Sequence, residues 1–264
     1  MNFDIHSVPL ASLNSMTKYP SIPTYHALDP SNGSLIESQV TDFGQDEVIM
    51  TEKVDGTNSR IILCPDGPFL IGSREELLHA GGDVVANPSM GIVDALRDVA
   101  KSVAAGWNPN RIVVFYLETF GGKTSSGSKN YGREVTGYRL FDMCDIEDYG
   151  EVLYWSPERI SSWRESGGQK FRAEGWLTNT ANQLEIPVAP RILFPGELPT
   201  TLSGMSDFLS EHLPKTKCLL SPSGLGVPEG IVLRNYDRSK IAKARFEDYA
   251  RTLRRIMQGG RGRG

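Results

Sequence analysis

Lys53 is the residue around which chemistry can be built. It stands in Glu52-Lys53-Val54-Asp55-Gly56-Thr57-Asn58, at the end of the apolar run Val48-Ile49-Met50 and two positions before an aspartate-glycine turn. A lysine held on β-structure can be presented to a phosphate, or act as a nucleophile where its surroundings lower its pKa. A lone Lys-x-Asp-Gly also fits a surface hairpin with a solvated lysine, because four-residue patterns recur by chance. Other groups along the chain extend the set: Ser73-Arg74, Glu118, Phe141-Asp142, Glu229-Gly230, and Lys240 with Lys243. Cations of this kind can neutralise a transferring phosphate, and carboxylates can hold a hydrated Mg²⁺ or Mn²⁺ ion. Phe120-Gly121-Gly122-Lys123 is not a P-loop, because Leu117 occupies the position five before Gly122 where that loop needs glycine.

Composition narrows the class. The chain has 264 residues, enough for one large domain or two small ones. No apolar run approaches the roughly 20 residues of a membrane helix, and MNFDIHSVPL lacks the basic start and apolar core of a secretion signal. Cys64, Cys144 and Cys218 are widely spaced, which fits free thiols in a reducing compartment rather than a disulfide framework or zinc site. The expected location is cytoplasmic (the host cytoplasm for a viral protein), with no membrane partner. His6, His26, His79 and His212 are scattered, so a serine-hydrolase triad has no local support. The net charge of −4 hides an asymmetry: residues 238–264 carry nine basic and two acidic side chains, leaving −11 on the remainder. A basic end on an acidic body points to a polyanionic partner, against the plainer reading of a solvated basic helix.

The elements that must position these groups follow from period and turn chemistry. Residues 1–45, rich in Ser, Pro, Asn and Thr, read as an N-terminal arm packed on the core. Val48 to Lys53 and Ile61 to Leu63 read as two strands joined by a tight turn, and Phe69 to Gly72 adds a third. That meander would bring Lys53 and Arg74 to strand ends facing one cleft. A packing helix is expected from Met90 to Ala104, and a strand from Arg111 that terminates in the Glu118 carboxylate. Lys123 to Arg133 reads as a surface loop, Gly137 to Asp145 as a core strand, and Pro157–Glu165 and Thr201–Leu213 as helices. Near the end, a strand over Ile231–Leu233 is followed by a second presenting Lys240 and Lys243, then by an amphipathic helix over Phe246–Met257. The expected organisation is an arm (1–45), a main domain (46–258) and a flexible Gly/Arg tail (259–264).

The ordered series from Lys53-x-Asp55-Gly56 to Lys243 resembles the covalent nucleotidyltransferases, the polynucleotide ligases and mRNA capping enzymes. The Thr57-Asn58 that follows Gly56, and Lys18-Tyr19-Pro20-Ser21-Ile22 upstream, are similar to the RNA ligase 2 type. The resemblance runs from about residue 18 to 250. Two positions depart from its pattern: Leu117 precedes Glu118 where glycine is usual, and Arg234 stands where the fourth motif commonly ends in lysine. The resemblance implies an α+β, ATP-grasp-like ligase fold with antiparallel sheets flanking a nucleotide-binding cleft and helices outside. It implies an ATP-dependent RNA ligase in which Lys53 takes AMP from ATP, passes it to an RNA 5′-phosphate, and a 3′-hydroxyl then displaces it. Lys240, Lys243 and Arg74 would neutralise phosphate charge, and the two lysines with a bound metal would disfavour the ammonium form of Lys53. Glu118 and Glu229 would hold Mg²⁺ or the ribose hydroxyls. Phe141 would stack on adenine, Glu52 would recognise the base, and Asn58 would serve sealing. The ligase 2 enzymes carry a further C-terminal domain that engages RNA, so a partner supplying such a domain is also expected. A GTP-using capping enzyme, a DNA ligase, and a non-catalytic nucleotide- or RNA-binding protein stay open as alternatives.

One expectation is testable at this level. Sealing of a pre-adenylated strand should weaken steeply as salt rises, because the basic tail must contact phosphates. Equal activity across salt, or after deletion of residues 259–264, would remove the tail from the mechanism.

Overall fold

The two apolar runs flanking Asp55-Gly56 do not pair with each other. In the computed structural model, which describes residues 3–80, 91–107 and 109–261, they belong to different sheets. In chain order the elements begin with α1 (Leu10–Met16), β1 (His26–Leu28), β2 (Leu35–Val40), β3 (Val48–Lys53), β4 (Thr57–Leu63), β5 (Phe69–Ser73) and β6 (Leu77–Ala80). They continue with α2 (Ile92–Gly106), β7 (Ile112–Gly121), β8 (Thr136–Ile146), α3 (Tyr149–Val152), α4 (Pro157–Glu165), β9 (Lys170–Phe171) and α5 (Glu174–Gln183). The last are β10 (Arg191–Ile192), α6 (Leu202–His212), β11 (Gly230–Asn235), β12 (Ile241–Arg245) and α7 (Phe246–Arg261). The architecture is mixed α and β with antiparallel sheets, as expected.

The chain divides into two units. The first comprises Met1–Ser21, Gly56–Val188 and Leu220–Gly224; the second comprises Ile22–Asp55, Ala189–Leu219 and Leu225–Gly264. Residues 1–45 are thus shared between them, α1 lying in the first and β1–β2 in the second.

In the first unit six strands run in the order β6-β5-β4-β7-β8-β9. β7 is apolar on both faces because both faces are covered. Val113, Phe115 and Leu117 join the cluster under α2 and α5, and Val114 and Tyr116 join the one that includes Leu13 and Met16 of α1. The strand runs on to Gly121, so Glu118 lies within it rather than at its end. The segment expected as a loop over 123–133 contains a 3-10 helix, Ser126–Asn130, fixed by a Ser125–Ser128 capping box. The helix expected from residue 90 is α2; Met90 itself lies outside the described residues.

The second unit holds the four-stranded sheet β10-β3-β11-β12 and the hairpin β1–β2. Its sheet alternates as a one-sided sheet should. Val48, Met50, Ile231, Leu233, Ala242 and Ala244 pack with α6 and α7. α7 continues to Arg261, into the segment expected as a flexible tail, while residues 262–264 lie outside the described residues. Cys64, Cys144 and Cys218 are buried. Among the described residues no helix is long and apolar enough to cross a membrane.

β11 is the central strand, paired with β3 on one side and β12 on the other. Gly230 opens it where no side chain fits, since an added Cβ would lie 2.1 Å from the Ala244 carbonyl oxygen. Gly230→Ala should therefore destabilise the protein by about 1–3 kcal/mol, the range for overpacking. Urea denaturation would check this, and an unchanged midpoint would contradict the close packing at this crossing.

Candidate active site

The register of the second unit's sheet builds one row of functional groups. Gly230 of β11 pairs with Lys53 of β3 and with Arg245 of β12, so these two cations flank a residue without a side chain. In the next row Val232 pairs with Thr51 and Lys243. Because side chains alternate along a strand, Lys243 and Arg245 share a face. Glu229, one residue before the row, accepts a hydrogen bond from Lys53 Nζ at 2.7 Å. The Glu229 carbonyl receives the Phe246 N–H at 3.0 Å, which ties this turn to the start of α7.

The electrostatics follow from burial and the crowd of charge. Burial pushes the Glu229 carboxyl above the usual carboxylate range and Asp55 adds to the rise, while Lys53 and Arg245 oppose it. Burial lowers the Lys243 pKa, and Arg245 and Lys53 lower it further. Arg245 is held above its ordinary value, chiefly by its hydrogen bonds to Asp248. Lys243 also lines a cavity of about 410 Å³ with Thr24, Tyr25, Gln39 and Thr41.

A second set stands on the six-stranded sheet of the first unit. Asn58 of β4 pairs across the ladder with Glu118 of β7, which pairs in turn with Arg139 of β8. Glu118 Oε1 accepts the Gly56 N–H at 3.1 Å. Gly56 must be glycine here, because a Cβ would lie 2.3 Å from the Thr119 carbonyl oxygen. Asn58 Oδ1 is buried and has no hydrogen-bond partner, so a donor brought by a ligand would relieve a costly vacancy. Phe141, at the irregularity where β8 shifts register against β7, packs edge-on with Tyr19 at 5.1 Å and lies near Tyr116.

The structure thus brings Lys53, Glu229 and Lys243 together on one sheet, and Asn58 with Glu118 on the other. Two expectations of position need correction, those for Lys240 and Arg74. Lys240 is not on β12; it precedes the strand, is exposed, and its Nζ donates to the Asp42 carbonyl at 2.7 Å. Glu52, for which the resemblance implies base recognition, lies on β3 beside Lys53. It is buried, and its carboxylate accepts from the Lys217 N–H at 2.7 Å and from the Thr216 hydroxyl, fixing the chain after α6. Arg74 is not in a meander with Lys53, because β3 pairs with β10 and β11 instead of β4. Its side chain lies just past β5, is 72% exposed, and approaches Glu75 at 3.6 Å. Arg245 was missed by reading for lysines. The signal was present in its spacing of two from Lys243, the strand period.

Among the described residues no group of three or more His, Cys, Asp or Glu side chains is placed to hold a metal ion. Single carboxylates such as Glu118 and Glu229 are oxygen donors of the kind a hydrated divalent cation takes.

Comparison with known proteins places the fold. A family model described as RNA ligase matches residues 46–246. No curated protein sequence matches the chain. Among solved structures, the Naegleria gruberi RNA ligase with PPi aligns with a TM-score of 0.57 at 13% identity, over 91% of this chain and 59% of that one. A single-residue variant of that ligase, solved with ATP and Mn, aligns with a TM-score of 0.53 at 14% identity, over 92% of this chain and 63% of that one. The likeness is one of fold, and the chain spans about three fifths of the solved ligase's length.

Glu229 yields a pH prediction. Its folded pKa is raised above the usual 4.5, so the folded state holds the proton more tightly and the associated stability is lost as pH rises through the folded value. The stability of the wild type relative to Glu229→Gln should therefore fall between pH 4 and neutrality. Parallel denaturation curves at several pH values would test this; a difference that grows with pH would contradict it.

Proposed function

The chain belongs to the RNA ligase family, and from that premise we propose that it is an ATP-dependent RNA ligase joining 5′-phosphate and 3′-hydroxyl RNA ends through a lysyl-AMP enzyme. The observation that carries the reading is the row Lys53–Gly230–Arg245 with Glu229 at 2.7 Å from Nζ. It supplies a nucleophile, a base and a cation on rigid strands.

In the first step the Nζ lone pair attacks the α-phosphorus of ATP. An N–P bond forms, the P–O bond to pyrophosphate breaks, and the proton shed by Nζ passes to Glu229 Oε2, whose proton affinity is raised by burial. Lys240, Lys243 and Arg245 neutralise charge on the transferring group. In the second step an oxygen of the RNA 5′-phosphate attacks the same phosphorus and Lys53 leaves. In the third a 3′-hydroxyl attacks the activated phosphate, closing the phosphodiester and releasing AMP. Asn58 and Glu118 serve the nucleotide and sealing steps, and Arg74, exposed past β5, meets phosphate. Phe141 offers its ring to adenine. A bound divalent metal would supply further neutralisation of phosphate charge. Glu52 acts at one remove, by holding Thr216 and Lys217.

The test is incubation with α-labelled ATP and a divalent metal. Covalent label on the wild type that survives alkali and is lost in acid, as a P–N bond requires, and none on Lys53→Ala are expected; an unlabelled wild type would overturn the proposal. The same assay with GTP separates a capping-type enzyme, and nicked RNA against nicked DNA fixes the strand that receives AMP.

A further inference from the structure

We propose that Asp248, on the first turn of α7, is a positioning residue for adenylyl transfer, clamping the Arg245 guanidinium in the row that holds Lys53. The inference rests on the ligase reading above and names a residue that reading does not need.

Asp248 is only 1% exposed, yet both of its oxygens are used. Arg245 Nε donates to Oδ2 at 2.7 Å and one Arg245 Nη donates to Oδ1 at 2.9 Å, a two-pronged fork. Arg251, one turn further along α7, donates to Oδ1 at 2.8 Å. An acidic residue on a helix's first turn is favoured by the helix dipole alone. That general preference asks for neither burial nor two arginines. A buried carboxylate is costly unless paired and hydrogen-bonded, and here the pairing is complete.

The clamp sits at a joint without slack. β12 ends at Arg245 and α7 begins at Phe246, whose N–H is bonded to the Glu229 carbonyl. The carboxylate thus reaches back across the strand-to-helix junction to the last strand residue. Arg245 is 32% exposed, and the Nη that Asp248 does not engage is left for a ligand. The rotamer entropy an unrestrained arginine loses on meeting a phosphate is a cost to binding. The fork meets that cost at folding and fixes which edge faces outward. Arg251 keeps the trio cationic, so Asp248 orients Arg245 without cancelling the local positive charge.

The experiment is single-turnover labelling of Lys53 with α-labelled ATP. Asp248→Asn should lower the rate at saturating ATP about tenfold, with the half-saturating ATP concentration changed less than about threefold. Arg245→Met should lose at least as much, and adding Asp248→Asn to it should cost less than about twofold more. Arg251→Met, which removes the other partner, should stay within about twofold of the wild-type rate. Arg245→Lys keeps the charge but cannot form the fork, and should also be slowed; it keeps the test alive if Asp248→Asn fails to fold. A wild-type rate in Asp248→Asn or Arg245→Lys would overturn the inference. So would a full independent loss for Asp248→Asn in the Arg245→Met background, or an Arg251→Met as slow as Asp248→Asn. An unlabelled wild type would instead sink the ligase reading itself.

Discussion

Everything in the second unit depends on β11 pairing with two strands at once. A strand bonded on both sides has its register fixed twice, and a slip of one residue would turn every side chain to the other face. Gly230 marks the fixed point: the strand on one side brings Lys53 to it, and the strand on the other brings Arg245. Any side chain there would collide with the Ala244 carbonyl. The spacing between the lysine and its cationic neighbour is therefore a property of the sheet and not of a loop. Reactive groups held on strands are placed more tightly than those held on loops.

Much of this was legible in the sequence, for reasons that can be named. α4 begins where Ser156-Pro157 says it should, because Pro is pre-shaped for the first helical position and the Ser156 hydroxyl accepts from the Arg159 N–H. β8 and α6 follow their hydrophobic periods to within a residue. The polar residues that end an element were harder. Glu118 looks like a strand end because a carboxylate follows an apolar run, yet Thr119 and Phe120 continue the ladder with β8 and are buried.

What could not be read locally was which strands pair. Asp55-Gly56 looks like a hairpin turn, and a two-residue turn between apolar runs is a strong short-range signal. Here the chain changes sheet at that point, and β3 finds its partner in a strand almost at the far end of the chain. No propensity scale contains that choice; it is decided by which faces can be buried together. The same limit explains the preference for Lys240 over Arg245. Residue type favoured the lysine, and only the observed start of β12 at Ile241 shows that 243 and 245 share a face while 240 belongs to the turn. Glu52 is a related case. It adjoins Lys53 in sequence, and the fold sets its carboxylate against Thr216 and Lys217, contacts that no local pattern announces.

The two ion pairs of the row differ in a way that suits their work. Lys53 and Glu229 are 25% and 20% exposed and joined by a single contact, and burial raises the proton affinity of the carboxyl. On the proposed reading, a proton moved from Nζ to that carboxyl would free the amine. Arg245 and Asp248 form a fork whose carboxylate is 1% exposed, and removing one partner from such a pair costs about 3–5 kcal/mol. On that reading the group that reacts is held by one contact and the group that orients is held by a fork. Reversing the strengths would leave the lysine locked to its carboxylate and the arginine free to wander. The asymmetry follows from burial and partner number: Asp248, 1% exposed, holds two arginines, whereas Glu229, 20% exposed, holds one lysine.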